Sequence, residues 1–170
     1  MKTIILVRHA KSSWKNPRLD DFERPLNKRG KRDAPRMGEK LKERQILPDL
    51  ILSSPAKRAR KTADLIAKAI GYPRKNIQFV DKMYHCGASV LLDLVKKLDD
   101  KNTSVMLFGH NPDFMDFAGM LLKPGPVQNI PTTGVYCIRF PVNTWKKVQK
   151  GKGESVFFDY PKCNQDEPAR

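Results

Sequence analysis

Thr3 to Val7, Asp49 to Ser53 and Ser104 to Gly109 are apolar runs of strand length, and the segments between them repeat apolar residues at helical spacing. Such alternation is the signature of βαβ units around a largely parallel sheet. The expected architecture is therefore α/β, a three-layer sandwich whose mostly parallel central sheet is flanked by helices. Asp33 to Arg44 reads as a helix with Pro35 tolerated in its first turn, or as one that starts earlier, capped by Asn27, and kinks. Ser54-Pro55 opens a second helix that runs to Ala69, with Ala59, Ala63, Ile66 and Ile70 in register and Gly71-Tyr72-Pro73 ending it. Ile77 to Val80 is a short strand, and Ser89 caps a helix through Leu98 whose Leu91, Leu92, Leu94 and Val95 face the core. Asp113 to Leu122 fits a short helix, and Gly134 to Phe140 with Glu154 to Phe158 completes the sheet.

A chain of 170 residues can bury a substantial core without disulfides or a structural metal. Residues 1–160 are expected to form a single domain and residues 161–170 a flexible tail. Cys86, Cys137 and Cys163 are odd in number and lack C-x-x-C spacing, which argues against a disulfide framework and against a zinc site. They read as free thiols of a reducing compartment. Only five apolar residues precede Arg8, too few for a signal peptide core or a membrane span, so a cytoplasmic location is expected. The net charge of +15 attracts polyanions, whether an acidic or phosphorylated protein or a nucleic acid, and is equally consistent with a solvated lysine-rich surface. No helix-turn-helix, zinc finger or aromatic-basic RNA-binding signature accompanies it.

The first apolar run delivers Arg8-His9, and the run ending at Gly109 delivers His110 before Asn111-Pro112. In parallel α/β sheets ligands bind outside the carboxyl ends of the strands, so two imidazoles and a guanidinium are placed where ligands gather. A phosphoryl group spreads its charge over several oxygens, and a site that transfers it needs fixed donors around one point and an in-line nucleophile. Arg58, five residues past the second strand and near the start of its helix, can add a bidentate guanidinium to the helix dipole. Thr132-Thr133-Gly134 precedes a late strand, and either forms an ordinary turn or sets a hydroxyl or amide of Thr133 near phosphate. His85, in Met83-Tyr84-His85-Cys86-Gly87, has no comparable support. The irregular stretch from Lys11 to Lys28 is long enough to be functional or mobile and could flank the site.

Leu6-Val7-Arg8-His9-Ala10, the run from Ser53 to Ala63 around Arg58, and Phe108-Gly109-His110-Asn111-Pro112 together resemble the histidine phosphatase superfamily of phosphoglycerate mutase-like folds. Arg8 to Trp14, with Asp21-x-x-Arg-Pro-Leu-x-x-Arg-Gly from Asp21 to Gly30, resembles its SixA-type phosphohistidine phosphatase branch. The resemblance implies that His9 attacks phosphorus and is transiently phosphorylated, while Arg8, Arg58 and His110 surround the phosphoryl oxygens. A nucleophilic imidazole must be neutral at the attacking nitrogen, with its other nitrogen held by an acceptor such as a backbone carbonyl. Neither a metal nor an organic cofactor is implied.

One departure bears on the substrate. Phosphoglycerate mutase-like relatives carry Arg-His-Gly-Glu and a proton-donating carboxylate after the third strand, whereas this chain has Arg-His-Ala-Lys and no Asp or Glu from Lys82 to Leu92. An alkoxide is hard to expel without a proton, but an imidazole, whose conjugate acid has a pKa of about 6.5, can leave neutral after local protonation. The expected activity is thus hydrolysis of phosphohistidine on a protein such as a phosphotransfer domain. A phosphatase of small phosphate esters and an inactive basic nucleic-acid-binding or scaffold module are the alternatives. Asp21 is the nearest substitute acid, or else a loop-organising acceptor bonded to backbone or to Arg24.

Overall fold

A computed structural model describes residues 1–123, 127 and 129–162. Its centre is a six-stranded sheet of β1 (Lys2–Arg8), β2 (Leu50–Ser53), β3 (Gln78–Phe79), β4 (Ser104–Gly109), β5 (Val135–Phe140) and β6 (Glu154–Asp159), in the order β3-β2-β4-β1-β5-β6. The pairs β1 with β4, β4 with β2 and β2 with β3 are parallel. β5 runs antiparallel to both neighbours, so it is the one reversed strand of a sheet that is otherwise aligned.

Side chains alternate across a strand, and the apolar runs are divided accordingly. Ile4, Leu6, Val105 and Leu107 face one core with α3 (Ala88–Lys96) and α4 (Asp113–Leu121). Ile5, Val7, Met106 and Phe108 face the other, against α1 (Lys28–Glu43) and α2 (Lys57–Ile70). Burial on both faces is what makes these strands continuously apolar. The expected three layers are present.

Local boundaries differ from the sequence reading in instructive places. Of the two starts offered for α1 the earlier one holds: the helix begins at Lys28 rather than Asp33, the Asn27 side chain accepts a hydrogen bond from the Gly30 amide at 2.9 Å, and Pro35 lies well inside the helix. The buried face of Ala34, Met37, Gly38 and Leu41 offsets the one backbone donor that proline lacks. α2 starts at Lys57 rather than Ser54, which leaves Ser54 and Pro55 in the turn that leads out of β2. Ser89 does not cap α3; Gly87, at φ 79°, precedes its first residue. Residues 163–170, including Cys163 and most of the expected tail, lie outside the described residues.

The loop between β1 and α1 is ordered by backbone pairing. Ser12 bridges Leu26, the Ser13 amide donates to the Pro25 carbonyl at 2.8 Å, and the Asn27 amide donates to the Lys11 carbonyl at 3.0 Å. Gly30 seals the junction, because a Cβ there would collide with the Lys11 carbonyl. Gly30→Ala is therefore expected to destabilise the protein by about 1–3 kcal/mol, the usual cost of overpacking, read as a lower midpoint in urea. An unchanged midpoint would mean that the loop yields freely.

Candidate active site

Sheet register aligns the functional residues. Arg8 pairs with Gly109 and Ser53 with Phe108, so His9, His110 and Ser54 leave adjacent strands at one level of the sheet. The His9 and His110 rings lie 5.2 Å apart, centroid to centroid. The His9 amide donates to the Gly109 carbonyl at 3.0 Å, and the Thr133 amide donates to the carbonyls of Arg8 and His9, each at 3.1 Å. Thr133 sits at φ 62°, uncommon for a β-branched residue and of the kind that persists where surrounding structure over-determines it.

His9 Nδ1 lies 2.8 Å from the Ala10 carbonyl, an acceptor only, so the neutral ring carries its proton on Nδ1 and has Nε2 free. Burial, reinforced by the charges of Arg58, Arg8 and Arg24 and opposed by the Ala10 bond, brings the His9 pKa down to about 3. The ring is a neutral base at ordinary pH. Thr62 anchors the turn beside it: its hydroxyl accepts from the Ala10 amide at 2.9 Å and donates to the Arg58 carbonyl at 2.7 Å.

His110 Nε2 lies 2.8 Å from Ser54 Oγ. That oxygen accepts from the Ala56 amide at 3.3 Å, and when the hydroxyl donates to His110 Nε2 the imidazole hydrogen stands on Nδ1. Burial, then Arg58, brings the His110 pKa down to about 3 as well.

Arg58, in the first turn of α2, donates through Nη1 to the Asp21 carbonyl at 2.6 Å and through Nη2 to Asp21 Oδ2 at 2.9 Å. The same carboxylate accepts from Tyr84 at 2.7 Å and from Arg24 at 3.0 Å. Burial pushes its pKa up, but the hydrogen bonds from Tyr84, Arg58 and Arg24 outweigh it and hold the carboxyl well below the usual range. Asp21 is thus an ionised acceptor that organises the loop and holds Arg58, a setting that does not suit a proton donor. Arg8 donates through Nη1 to the Ile130 carbonyl at 3.0 Å.

Arg8 Nε, Arg58 Nε, His110 Nδ1 and Thr133 Oγ1 are buried and have no protein partner among the described residues; the other such side-chain atom is Oδ1 of Asn111, next to His110. Buried polar groups are ordinarily paired, so four unsatisfied groups able to donate hydrogen bonds beside a neutral imidazole describe a receptor for an oxyanion. At Thr133 the amide is engaged by Arg8 and His9, and the hydroxyl is the group without a protein partner among the described residues. The structure thus brings together His9, Arg8, Arg58, His110, Asp21 and Thr133. It also adds Ser54, Thr62, Tyr84 and His85, of which only His85 was considered as a site residue from sequence. Among the described residues no cluster of His, Cys, Asp and Glu is arranged to hold a metal ion.

Residues 4–83 match the model of the histidine phosphatase superfamily (branch 1). An uncharacterized chloroplastic protein of Arabidopsis thaliana is 32% identical over 154 residues, covering 86% of this chain and 70% of the relative. The chain belongs to the histidine phosphatase superfamily. A structure assigned as the phosphohistidine phosphatase SixA of Agrobacterium tumefaciens superposes with a TM-score of 0.80 at 28% identity, over 94% of this chain and 98% of that one. A phosphoserine phosphatase of Entamoeba histolytica, in complex with phosphoserine, shares the fold at a TM-score of 0.66 and 17% identity, over 95% and 98% of the two chains. This histidine phosphatase superfamily member therefore has the phosphoglycerate mutase-like α/β fold expected from its sequence. None of its described helices is long and apolar enough to cross a membrane.

Proposed function

We propose that this protein is a phosphatase that removes phosphate from phosphohistidine on a protein substrate, through a phosphohistidine intermediate on His9. The observation that carries the reading is the group of unpaired buried donors on Arg8, Arg58, His110 and Thr133 around a neutral imidazole whose Nε2 is open. His9 Nε2 attacks phosphorus in line while the two guanidiniums, the His110 Nδ1 hydrogen and the Thr133 hydroxyl take the phosphoryl oxygens. These donors are fixed before substrate arrives, so charge that develops in the transition state meets no reorganisation cost. Water then attacks the phosphorus of phospho-His9, and the electron pair of the P–N bond returns to the ring. The positive potential comes from the protein's own side chains, so the reaction calls for no metal, and activity in the presence of chelator is part of the proposal.

Likeness to the SixA structure supports a phosphohistidine substrate, as does the lack of a carboxylate from Lys82 to Leu92. Beside the site runs a groove of about 730 Å³ whose lining includes Phe22, Lys31, Lys57, Arg60, Lys61 and Phe79. Lys11, Lys57, Arg60 and Lys61 are exposed and would draw an acidic phosphoprotein toward the pocket. For a phosphohistidine protein, kcat/KM is expected to fall as salt rises from about 0.05 to 0.5 M, because screening shortens the reach of these charges. A salt-independent value would remove the steering role. The free Cys86 and Cys137 fit the reducing cytoplasm, where we place the protein.

A second reading, a phosphatase of small esters, draws on the fold shared with the phosphoserine phosphatase. Rapid-quench reaction with a phosphohistidine protein, followed by mapping of acid-labile phosphate on the enzyme, tests the first reading. A higher kcat/KM for phosphoserine or another small ester than for the phosphohistidine protein would establish the second.

A further inference from the structure

We propose that His85 is the general acid and base of the reaction, protonating the leaving imidazole of a phosphohistidine substrate at its outer ring nitrogen. The inference rests on the phosphatase reading above and names the proton source that reading requires.

Three imidazoles are neighbours, with the His110 ring next to those of both His9 and His85. His9 is 8% exposed and His110 2%, whereas the His85 side chain is 59% exposed. The His85 ring lies 6.0 Å from that of His110, nearly parallel at 28°, and 4.1 Å from Tyr84. Its Nε2 is 3.6 Å from Asp21 Oδ2, the oxygen that accepts from Arg58 and Tyr84, so one carboxylate stands beside both His85 and the phosphate-binding guanidinium. The backbone at His85 adopts φ 53°, in the left-handed region, and such conformations concentrate at functional sites. Asp113 holds the following segment by accepting from the Cys86 amide at 3.1 Å.

The neighbouring groups are unsuited to the task. His9 and His110 are neutral at ordinary pH, with pKa values near 3. Asp21 is an ionised acceptor. Burial and the Asp21 carboxylate push the Tyr84 hydroxyl up, and its proton is already engaged in a hydrogen bond to Asp21. Burial also pushes Cys86 up, to about 11. His85 remains as the exposed imidazole, set beside His110 and Asp21.

Its outward position fits the leaving group. An ester must be protonated on the oxygen bonded to phosphorus, deep among the donors, but a phosphoimidazole is protonated at the ring nitrogen that faces away from phosphorus. His85 Nε2 stands 3.6 Å from Asp21 Oδ2, and the exchanged proton is placed on Nδ1, the other ring nitrogen. As His9 Nε2 bonds to phosphorus, the P–N bond of the substrate breaks and its electron pair passes into the substrate ring. That ring takes the His85 proton on its far nitrogen and leaves neutral. In the second step water bonds to phosphorus, its proton passes to His85, and the P–N electron pair returns to His9, restoring the enzyme.

The test compares wild type with His85→Asn, since asparagine tolerates the left-handed conformation and cannot act as the acid. The substrates are a phosphohistidine protein and two probes whose leaving groups need no proton, N-phosphoryl-N′-methylimidazolium and p-nitrophenyl phosphate. General acid catalysis predicts that the variant loses about 10²-fold in kcat/KM on phosphohistidine and less than about tenfold on either probe. Equal losses on all three substrates, or no loss on phosphohistidine, would overturn the role of His85 while leaving the phosphatase reading intact. A wild-type enzyme that forms no acid-labile phosphate with any of the three would instead overturn that reading. Unfolding midpoints of the two proteins are expected to agree, and a lowered midpoint with uniform losses would mark His85 as structural.

Discussion

His9→Ala and His9→Asn are expected to lower turnover by about 10⁴-fold or more and to abolish acid-labile phosphate on the enzyme, because the bond to phosphorus has no other acceptor of comparable reach. Asparagine is the sharper variant, since it can keep a polar contact near the Ala10 carbonyl and so separates loss of the nucleophile from collapse of the loop. The pH response follows from the same environment. His9 is held at about 3, against an ordinary value of 6.5, so protonation of the nucleophile should not limit kcat/KM until the pH nears 3. In the unfolded chain the ring takes up its proton around 6.5, and the unfolded state therefore binds more protons between that value and about 3. The stability present above 6.5 is lost as pH falls through that window, and His110 adds to the same slope. His9→Asn should therefore unfold less steeply in acid than wild type. Labelling that persists in both His9 variants would end the role assigned to it.

Much of the fold was legible because burial on both sheet faces leaves continuous apolar runs, and Ile4 to Val7, Leu50 to Ser53 and Val105 to Phe108 are strands at the expected places. The direction of β5 was not legible, since residues 135–140 carry a strand pattern whichever way they run, and the pairing with β1 depends on the connection before them. Pro35 leaves two helix starts open for a local reason: a proline inside a helix is costly in isolation, yet the apolar face around Met37 and Leu41 is a tertiary term that local rules do not contain.

At the site, strand ends were the readable signal. Arg8, His9 and His110 follow apolar runs directly, and parallel register then brings them level. Thr62 lies one helical turn after Arg58, a spacing at which its hydroxyl reaches the Arg58 carbonyl, and Ser54 follows β2 directly, so both carry a positional signal in the sequence. Tyr84 and His85 were harder, because they meet Asp21 across more than sixty residues and through an irregular loop. Residues 82–92 hold no carboxylate, and the group that stands there beside Asp21 is an imidazole.

Arg58→Ala is the second substitution with a large expected effect, a loss of about 10²–10³-fold in kcat, the range for removing one preorganised donor to a developing oxyanion. Its side chain is buried, two of its nitrogens are taken by Asp21, and Nε has no protein partner, so the group is aimed rather than merely charged. Arg58→Lys should recover little, because an ammonium cannot hold the Asp21 carbonyl and carboxylate while presenting a third donor to phosphate. A purely structural role would lower kcat through misfolding and leave the pH profile in place. The charge of Arg58, however, helps to depress both His9 and His110, so its removal should raise the pKa of each and move the acid limb of kcat/KM to higher pH. Arg58→Lys retains a positive charge and should shift that limb less than Arg58→Ala, even though both variants are slow. Coincident acid limbs in wild type and Arg58→Ala would mean that the guanidinium does not act on the imidazoles, and near-wild-type kcat in Arg58→Lys would reduce its part to that of a point charge.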